Sequence, residues 1–251
     1  MRSCLILLRR ELGSYFVNWT GYVVISIVLF LFGLGFVGII ESVNSEPITR
    51  SVTELFFDSY YFWIVLIIVV PIITMRTFAR ERSSGTIETL MTAPVKNIEI
   101  VAAKYLGAFI FYVIIWSPLL ICMLIAQYYA PGETQTDYGK LLSAFAGILL
   151  LGTLFIAIGC FSSVLSKNQI SAAITGYAFV IALFTLAFVS YSASVQQYGF
   201  IAKTLAYLNM IDHIRDFARG VIDTRPLVFY ISTSFLFLNL TLKAVESRRW
   251  K

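Results

Sequence analysis

Six apolar runs divide the chain, at roughly Gly21–Ile40, Ser59–Met75, Tyr105–Tyr128, Leu141–Leu165, Ile170–Tyr191 and Leu227–Thr241. Each is near the ~20 residues that a helix needs to cross a bilayer. None contains Asp, Glu, Lys, Arg or His, in keeping with a cost on the order of 3 kcal/mol for a charge at mid-bilayer. The last run is the shortest, and its helix is free to begin before Pro226. Ahead of the first run, Leu5, Leu8, Leu12, Tyr15, Phe16 and Trp19 fall on one helical arc, with Arg10, Glu11 and Ser14 opposite. That spacing predicts an amphipathic helix over residues 1–19, lying in the membrane interface. The fold class expected is an all-α integral membrane protein, with residues 1–251 forming a single six-span domain.

Two polar stretches are too structured to be plain connections. Arg76 to Lys104 carries Arg76, Arg80, Arg82, Lys96 and Lys104 against Glu81, Glu88 and Glu99. Within it Gly85 can serve as an N-cap, with Glu88 three residues on to meet free amides. Ile87, Leu90 and Met91 then share a face, Pro94 ends the turn, and Asn97 with Glu99 reads as the cap of the next helix. The second stretch is residues 192–226, where Leu205, Leu208, Ile211, Ile214, Phe217 and Val221 recur at roughly helical spacing. It predicts one or two short helices dipping into, or lying on, the outer leaflet. The prolines Pro71 and Pro118 fall inside spans and are expected to kink them. The pairs Thr153/Ala157, Gly159/Ser163 and Ala172/Gly176 stand four apart, as in close helix packing within a membrane.

Composition agrees: 59% of residues are hydrophobic, 13% charged, and mean hydropathy is +0.82, where soluble domains carry about 25% charged residues. The net charge of +5 matters less than its placement. With the N-terminus in the cytoplasm, thirteen Lys and Arg residues lie inside and six outside, namely Arg50, Lys140, Lys203, Arg215, Arg219 and Arg225. The positive-inside rule then predicts cytoplasmic N- and C-termini. Residues 4–8 are too short for a signal-peptide core, so a multi-pass protein of a bacterial inner membrane is expected. Cys4, Cys122 and Cys160 form no CxxC pair, and His213 is the single histidine, so no metal site is expected. Gly33-Leu34-Gly35-Phe36-Val37-Gly38 spells a dinucleotide fingerprint but lies inside a span, where helix packing is the sensible role. Gly139-Lys140 lacks the rest of a phosphate loop, so the chain is not expected to hydrolyse ATP alone.

The run Glu81-Arg82-Ser83-Ser84-Gly85-Thr86-Ile87-Glu88-Thr89-Leu90, closed by Pro94, resembles the E-R-x-x-G-T-x-E-x-L-x-x-x-P signature of type-2, exporter-like ABC transporter permeases. The resemblance implies that Gly85–Pro94 is a coupling helix seated in a groove of a separate ATPase subunit. It would make Glu81, Arg82, Gly85, Thr86, Ile87, Glu88, Leu90, Met91 and Pro94 the coupling residues. Gly85 would permit the turn, Glu88 would cap the helix or meet the ATPase, and Ile87, Leu90 and Met91 would fill the groove. Glu81 with Arg82 would tie the end of the second span to neighbouring helices. The run Asp212 to Asp223, with His213, Arg215, Asp216, Arg219 and Gly220, resembles the branch that includes gliding-motility and copper-enzyme-maturation permeases. Such permeases place a short re-entrant element there, before the last helix.

The implied partners are two copies of an ABC ATPase, a second permease chain of the same or a homologous kind, and an accessory membrane or periplasmic subunit, all within the lipid bilayer; nucleic acid is not among them. ATP and Mg would be bound by the ATPase, leaving no cofactor in this chain and no catalytic residue. Three other readings compete. A proton- or ion-coupled carrier would need ionisable groups at membrane depth. An intramembrane or outer-surface enzyme would have to draw on the Asp212–Asp223 cluster, and a structural anchor would need neither.

Overall fold

The computed structural model describes residues 2–45, 52–86, 95–129, 138–192, 207 and 209–249. These residues form helices and turns, in the order α1 (Arg2–Val17), α2 (Trp19–Ser45), α3 (Val52–Asp58), α4 (Tyr60–Thr74), α5 (Ala79–Ser83), α6 (Asn97–Tyr129), α7 (Tyr138–Leu165), α8 (Gln169–Ser192), α9 (Met210–Ala218) and α10 (Thr224–Arg249). The apolar runs mark the long helices well, because an apolar run of that length can satisfy its backbone in lipid only as a helix. Five of them, α2, α6, α7, α8 and α10, are long and apolar enough to cross a membrane. The second expected span is present as α4, but with 15 residues it is shorter than the rest. The final helix does start before Pro226, at Thr224.

The axis of the bundle is α7. Of its apolar window 67% is buried, against 22% for each of α8 and α10, and it touches α10, α8, α9, α6 and α4. Small residues make room for that. A Cβ at Gly159 would come within 2.2 Å of Thr74 on α4, and one at Gly152 within 2.3 Å of the Tyr112 ring on α6. Of the pairs spaced four apart, Gly159/Ser163 meets α4 and its following turn, Gly176 lies against Pro71, and Thr153 accepts a hydrogen bond from Ser234. Gly35 packs against Tyr61 and Phe56, but Gly33 and Gly38 have open space before them. Only the middle glycine of that triplet therefore serves packing among the described residues.

Between α2, α3, α4 and α6 sits an aromatic core. Trp116 is fully buried beside Phe32 and Phe62, whose ring centroids are 5.2 and 5.4 Å away, and Phe56 and Phe57 extend the cluster. Pro71 and Pro118 lie inside α4 and α6, which continue through them.

The structure turns α1 relative to the sequence expectation. Tyr15 is buried, stacking on Phe111 at 4.5 Å and donating to the Ile73 carbonyl at 3.1 Å. Glu11, expected on the solvated face, instead packs on α6, where a Cβ at Gly107 would meet its own at 3.0 Å. Ser14, expected beside it, is also half-buried, whereas Leu5 and Trp19 of the apolar arc are 65% and 86% exposed. A carboxylate turned inward needs a partner, and α6 supplies it.

Candidate coupling site and the opposite end

That partner is Lys104. The sequence pattern places Lys104 in the polar stretch, yet it stands in the third turn of α6 with only 3% of its side chain exposed. Its Nζ lies 3.0 Å from Glu11 Oε1 on α1 and 3.0 Å from Glu81 Oε2 on α5. The Glu81 contact has ion-pair distance without hydrogen-bond geometry, since that oxygen has no hydrogen-bond partner. Lys104 also donates to the Thr77 carbonyl and sits 5.3 Å from the Phe78 ring centroid. Arg10 completes the knot, with Nη2 2.8 Å from Glu81 Oε1 and 3.2 Å from Glu11 Oε1. Two carboxylates and two cations thus join α1, α5 and α6. Lys104 is the residue that sequence reasoning missed. The signal was available, because Glu99 and the cap before it begin a helix that already contains Lys104.

The second motif residue reaches the other way. Arg82 Nη1 donates to the carbonyls of Ser166 at 2.8 Å and Leu165 at 3.3 Å. These carbonyls lie at the C-terminal end of α7, where backbone oxygens lack helical partners and the helix dipole favours a cation. Above them, Ser163 of α7 accepts from the backbone N–H groups of Phe78 and Ala79, both at 3.1 Å. The turn between α4 and α5 is therefore bonded through its backbone to α7 and, by Lys104, to α6.

Gly85 has φ +72°, a left-handed conformation that side chains with a Cβ rarely adopt. It follows Ser84, the C-cap of α5, and its N–H donates to Arg82 O at 3.3 Å. Its described role is thus to end α5. The helix expected to begin there falls on Ile87, Glu88, Leu90, Met91 and Pro94, which lie outside the described residues. Thr86, the last described position, donates to Glu81 O at 3.4 Å and shares a bond with the Ser84 hydroxyl. At the start of α6 the cap is Lys96, one residue before the expected Asn97: the Glu99 carboxylate accepts from the Lys96 N–H at 3.3 Å.

At the opposite end, α9 carries the other candidate residues. Asn209 caps it, accepting from the Asp212 N–H at 3.3 Å and donating to the Asp212 carboxylate. Phe217 packs where Gly147 of α7 leaves space, and its carbonyl accepts from Ser143. Gly220, at φ +85°, ends the helix. The charged residues of α9 reach α3: Arg215 Nε lies 2.6 Å from Asp58 Oδ1, and Arg219 Nε 3.8 Å from Glu54 Oε2. That α3 helix has no counterpart in the sequence expectation. His213 pairs with Tyr230 of α10 at 3.3 Å. Burial lowers its pKa, while Asp216, Asp212 and Asp223 pull it back up. Asp212, His213, Asp216 and Asp223 line a 390 Å³ cleft with Arg225. Among the described residues no group of three or more acidic, His or Cys side chains is arranged to hold a metal.

A bundle of five membrane-length helices, one of them the buried axis, with no soluble domain among its described residues, defines a multi-pass membrane protein. The family profile described as "ABC-2 family transporter protein" matches residues 40–241. The chain belongs to that family, whose members are typically non-catalytic membrane subunits that normally work with an ABC ATPase. None of the curated proteins compared matches it.

Proposed function

We propose that this chain is the permease subunit of an inner-membrane ABC transporter and moves its substrate by alternating access. A separate ATPase, present in two copies and binding ATP and Mg, engages the segment Gly85–Pro94 on the cytoplasmic side. Two permease chains, identical or homologous, form the pathway, with α4 as the sixth crossing of each and both termini inside. The observation that carries this reading is the fastening of the motif's first two residues. Glu81 joins α1 and α6, and Arg82 joins the end of α7. A push on the following segment is thereby delivered to three helices at once, including the axis of the bundle. Asp212 and Asp223 accept bonds at the starts of α9 and α10, and Arg215 and Arg219 pair with α3, which suits an outer structural element better than a catalytic one. The likeness of that run to gliding-motility and copper-enzyme-maturation permeases makes a mechanical or maturation role, with an accessory subunit, the branch to test first.

The test is co-expression with the neighbouring genes, purification in mild detergent, identification of co-eluting proteins by mass spectrometry, and assay of ATP hydrolysis. The Gly85→Val variant should keep the bundle but lose ATPase association or substrate-dependent hydrolysis, because valine strains a backbone at φ +72°. Normal assembly and turnover in Gly85→Val, or no ATPase co-purifying with either form, would sink the proposal.

A further inference from the structure

We propose that the cleft between α1, α5 and the start of α6 binds the phosphate of an anionic phospholipid headgroup, clamped by Arg76 and Arg80. The cleft measures 410 Å³, and Arg10, Arg76, Arg80 and Lys104 line it against Glu11 and Glu81. Arg10 and Lys104 are already committed to those two carboxylates. Arg76 and Arg80 are not: among the described residues no carboxylate lies within ion-pair distance of either. Arg76 has a single side-chain bond, to the Thr20 hydroxyl, and its Nε is buried without a partner. Burial and the neighbouring Arg80 both weaken its hold on its proton. Two unneutralised guanidiniums facing one cleft repel each other, and an anion between them turns that repulsion into attraction. Guanidinium groups match phosphate oxygens bidentately.

Position decides the source of the phosphate. Thr20, the bonding partner of Arg76, is the second residue of α2, a membrane-length helix with an apolar window of hydropathy 2.9. Arg76 itself follows the last turn of α4. The cleft therefore lies at the level where two apolar helices end, which is headgroup depth. Next to Thr20, Trp19 is 86% exposed and Val17 84%, and exposed Trp at a helix end marks the membrane–water interface. Basic pockets between membrane helices at that depth suit anionic headgroups. The inference does not use the ATPase, so it stands or falls on the permease alone.

The full chain, purified in neutral detergent, would be titrated with short-chain phosphatidylglycerol, short-chain phosphatidylcholine and inorganic phosphate, with bound lipid read by native mass spectrometry. Phosphatidylglycerol should bind, and Arg80→Gln should weaken it about tenfold, roughly the factor carried by one charge-assisted hydrogen bond. Arg80 makes no ion pair and is exposed, so that variant remains readable even where Arg76→Gln, which loses the Thr20 bond, fails to fold. Lys243→Gln, which does not line the cleft, should leave binding unchanged. Equal phosphatidylglycerol affinity in wild type and Arg80→Gln would overturn the proposal. So would inorganic phosphate binding as tightly as the lipid, which would assign the cleft to a free anion. Unchanged lipid binding with loss of ATPase co-purification in Arg80→Gln would make the arginine part of a protein interface, and would also overturn it.

Discussion

The two ends of the bundle are both held by charge, but in different ways. At the motif end, Lys104 is 3% exposed between carboxylates that are 12% and 15% exposed. At the opposite end, Arg215 and Asp58 are 30% and 24% exposed, and Arg219 is 56% exposed beside Glu54. The first arrangement has few waters to replace a lost partner, and the second has many. Breaking a buried pair costs several kcal/mol because a charge is left without solvent; exposed pairs contribute little. The motif end is thus the more tightly buried joint, and the α3–α9 end the more solvated contact.

This contrast can be broken most directly at Lys104. Lys104→Met leaves Glu11 and Glu81 facing each other with only Arg10 between them, and should cost about 3–5 kcal/mol. The measurement is thermal unfolding of the purified protein in detergent. Adding Glu11→Gln to Lys104→Met should restore part of the loss, since one stranded carboxylate is gone. A Lys104→Met protein as stable as wild type would mean the knot is not buried as described. Next in size, Arg82→Ala removes the bonds to the end of α7 and should cost about 1–2 kcal/mol. Hydrogen exchange should rise at residues 163–169 while the middle of α7 stays protected; uniform exchange would argue against a capping role.

Effects at the opposite end should be smaller. A double-mutant cycle with Arg215→Gln and Asp58→Asn is expected to give a coupling of about 1 kcal/mol or less, falling further as salt is raised. A coupling as large as that at Lys104 would erase the distinction between the ends. The smallest effect concerns His213. Its folded pKa lies below its ordinary value of about 6.5, so the unfolded chain takes up the proton first. Stability from this group is present above pH ~6.5 and lost as pH falls through the folded value. His213→Gln should flatten stability in that window; an unchanged acid limb would place the titration elsewhere.

Much of the architecture was legible because lipid imposes one solution on long apolar runs. The expected Tyr105–Tyr128 and Leu141–Leu165 fall inside α6 and α7, and even the early start of the last helix follows from the pattern. Charged helices at the ends were harder. Glu11 belongs by periodicity on a polar face, and its inward turn depends on Lys104, which is 93 residues away. Helical periodicity says which residues share a face, not which distant charge will claim it. The same reason hid α3: Glu54 and Asp58 look like loop acids until Arg219 and Arg215 arrive from α9. Of the candidate coupling residues, Glu81 and Arg82 have partners remote in sequence, whereas Gly85, expected as an N-cap, shows a left-handed conformation that belongs to the residue type.

The short α4 has a consequence of its own. Its 15 residues rise only about 22 Å, less than the ~30 Å of a hydrocarbon core, yet nine of them are buried by neighbouring helices. The longer, more exposed α2, α8 and α10 meet the acyl chains and must adapt to bilayer thickness by tilting. An element screened from lipid has no such obligation. The height of Glu81 and Arg82 is then set by α7 and not by the membrane, so distances between labels at positions 83 and 167 should stay constant across bilayers of different acyl length. A shift that followed chain length would show that α4 is in register with the lipid after all. If it stays constant, the height of this joint is gauged from within the protein, in thin and thick membranes alike.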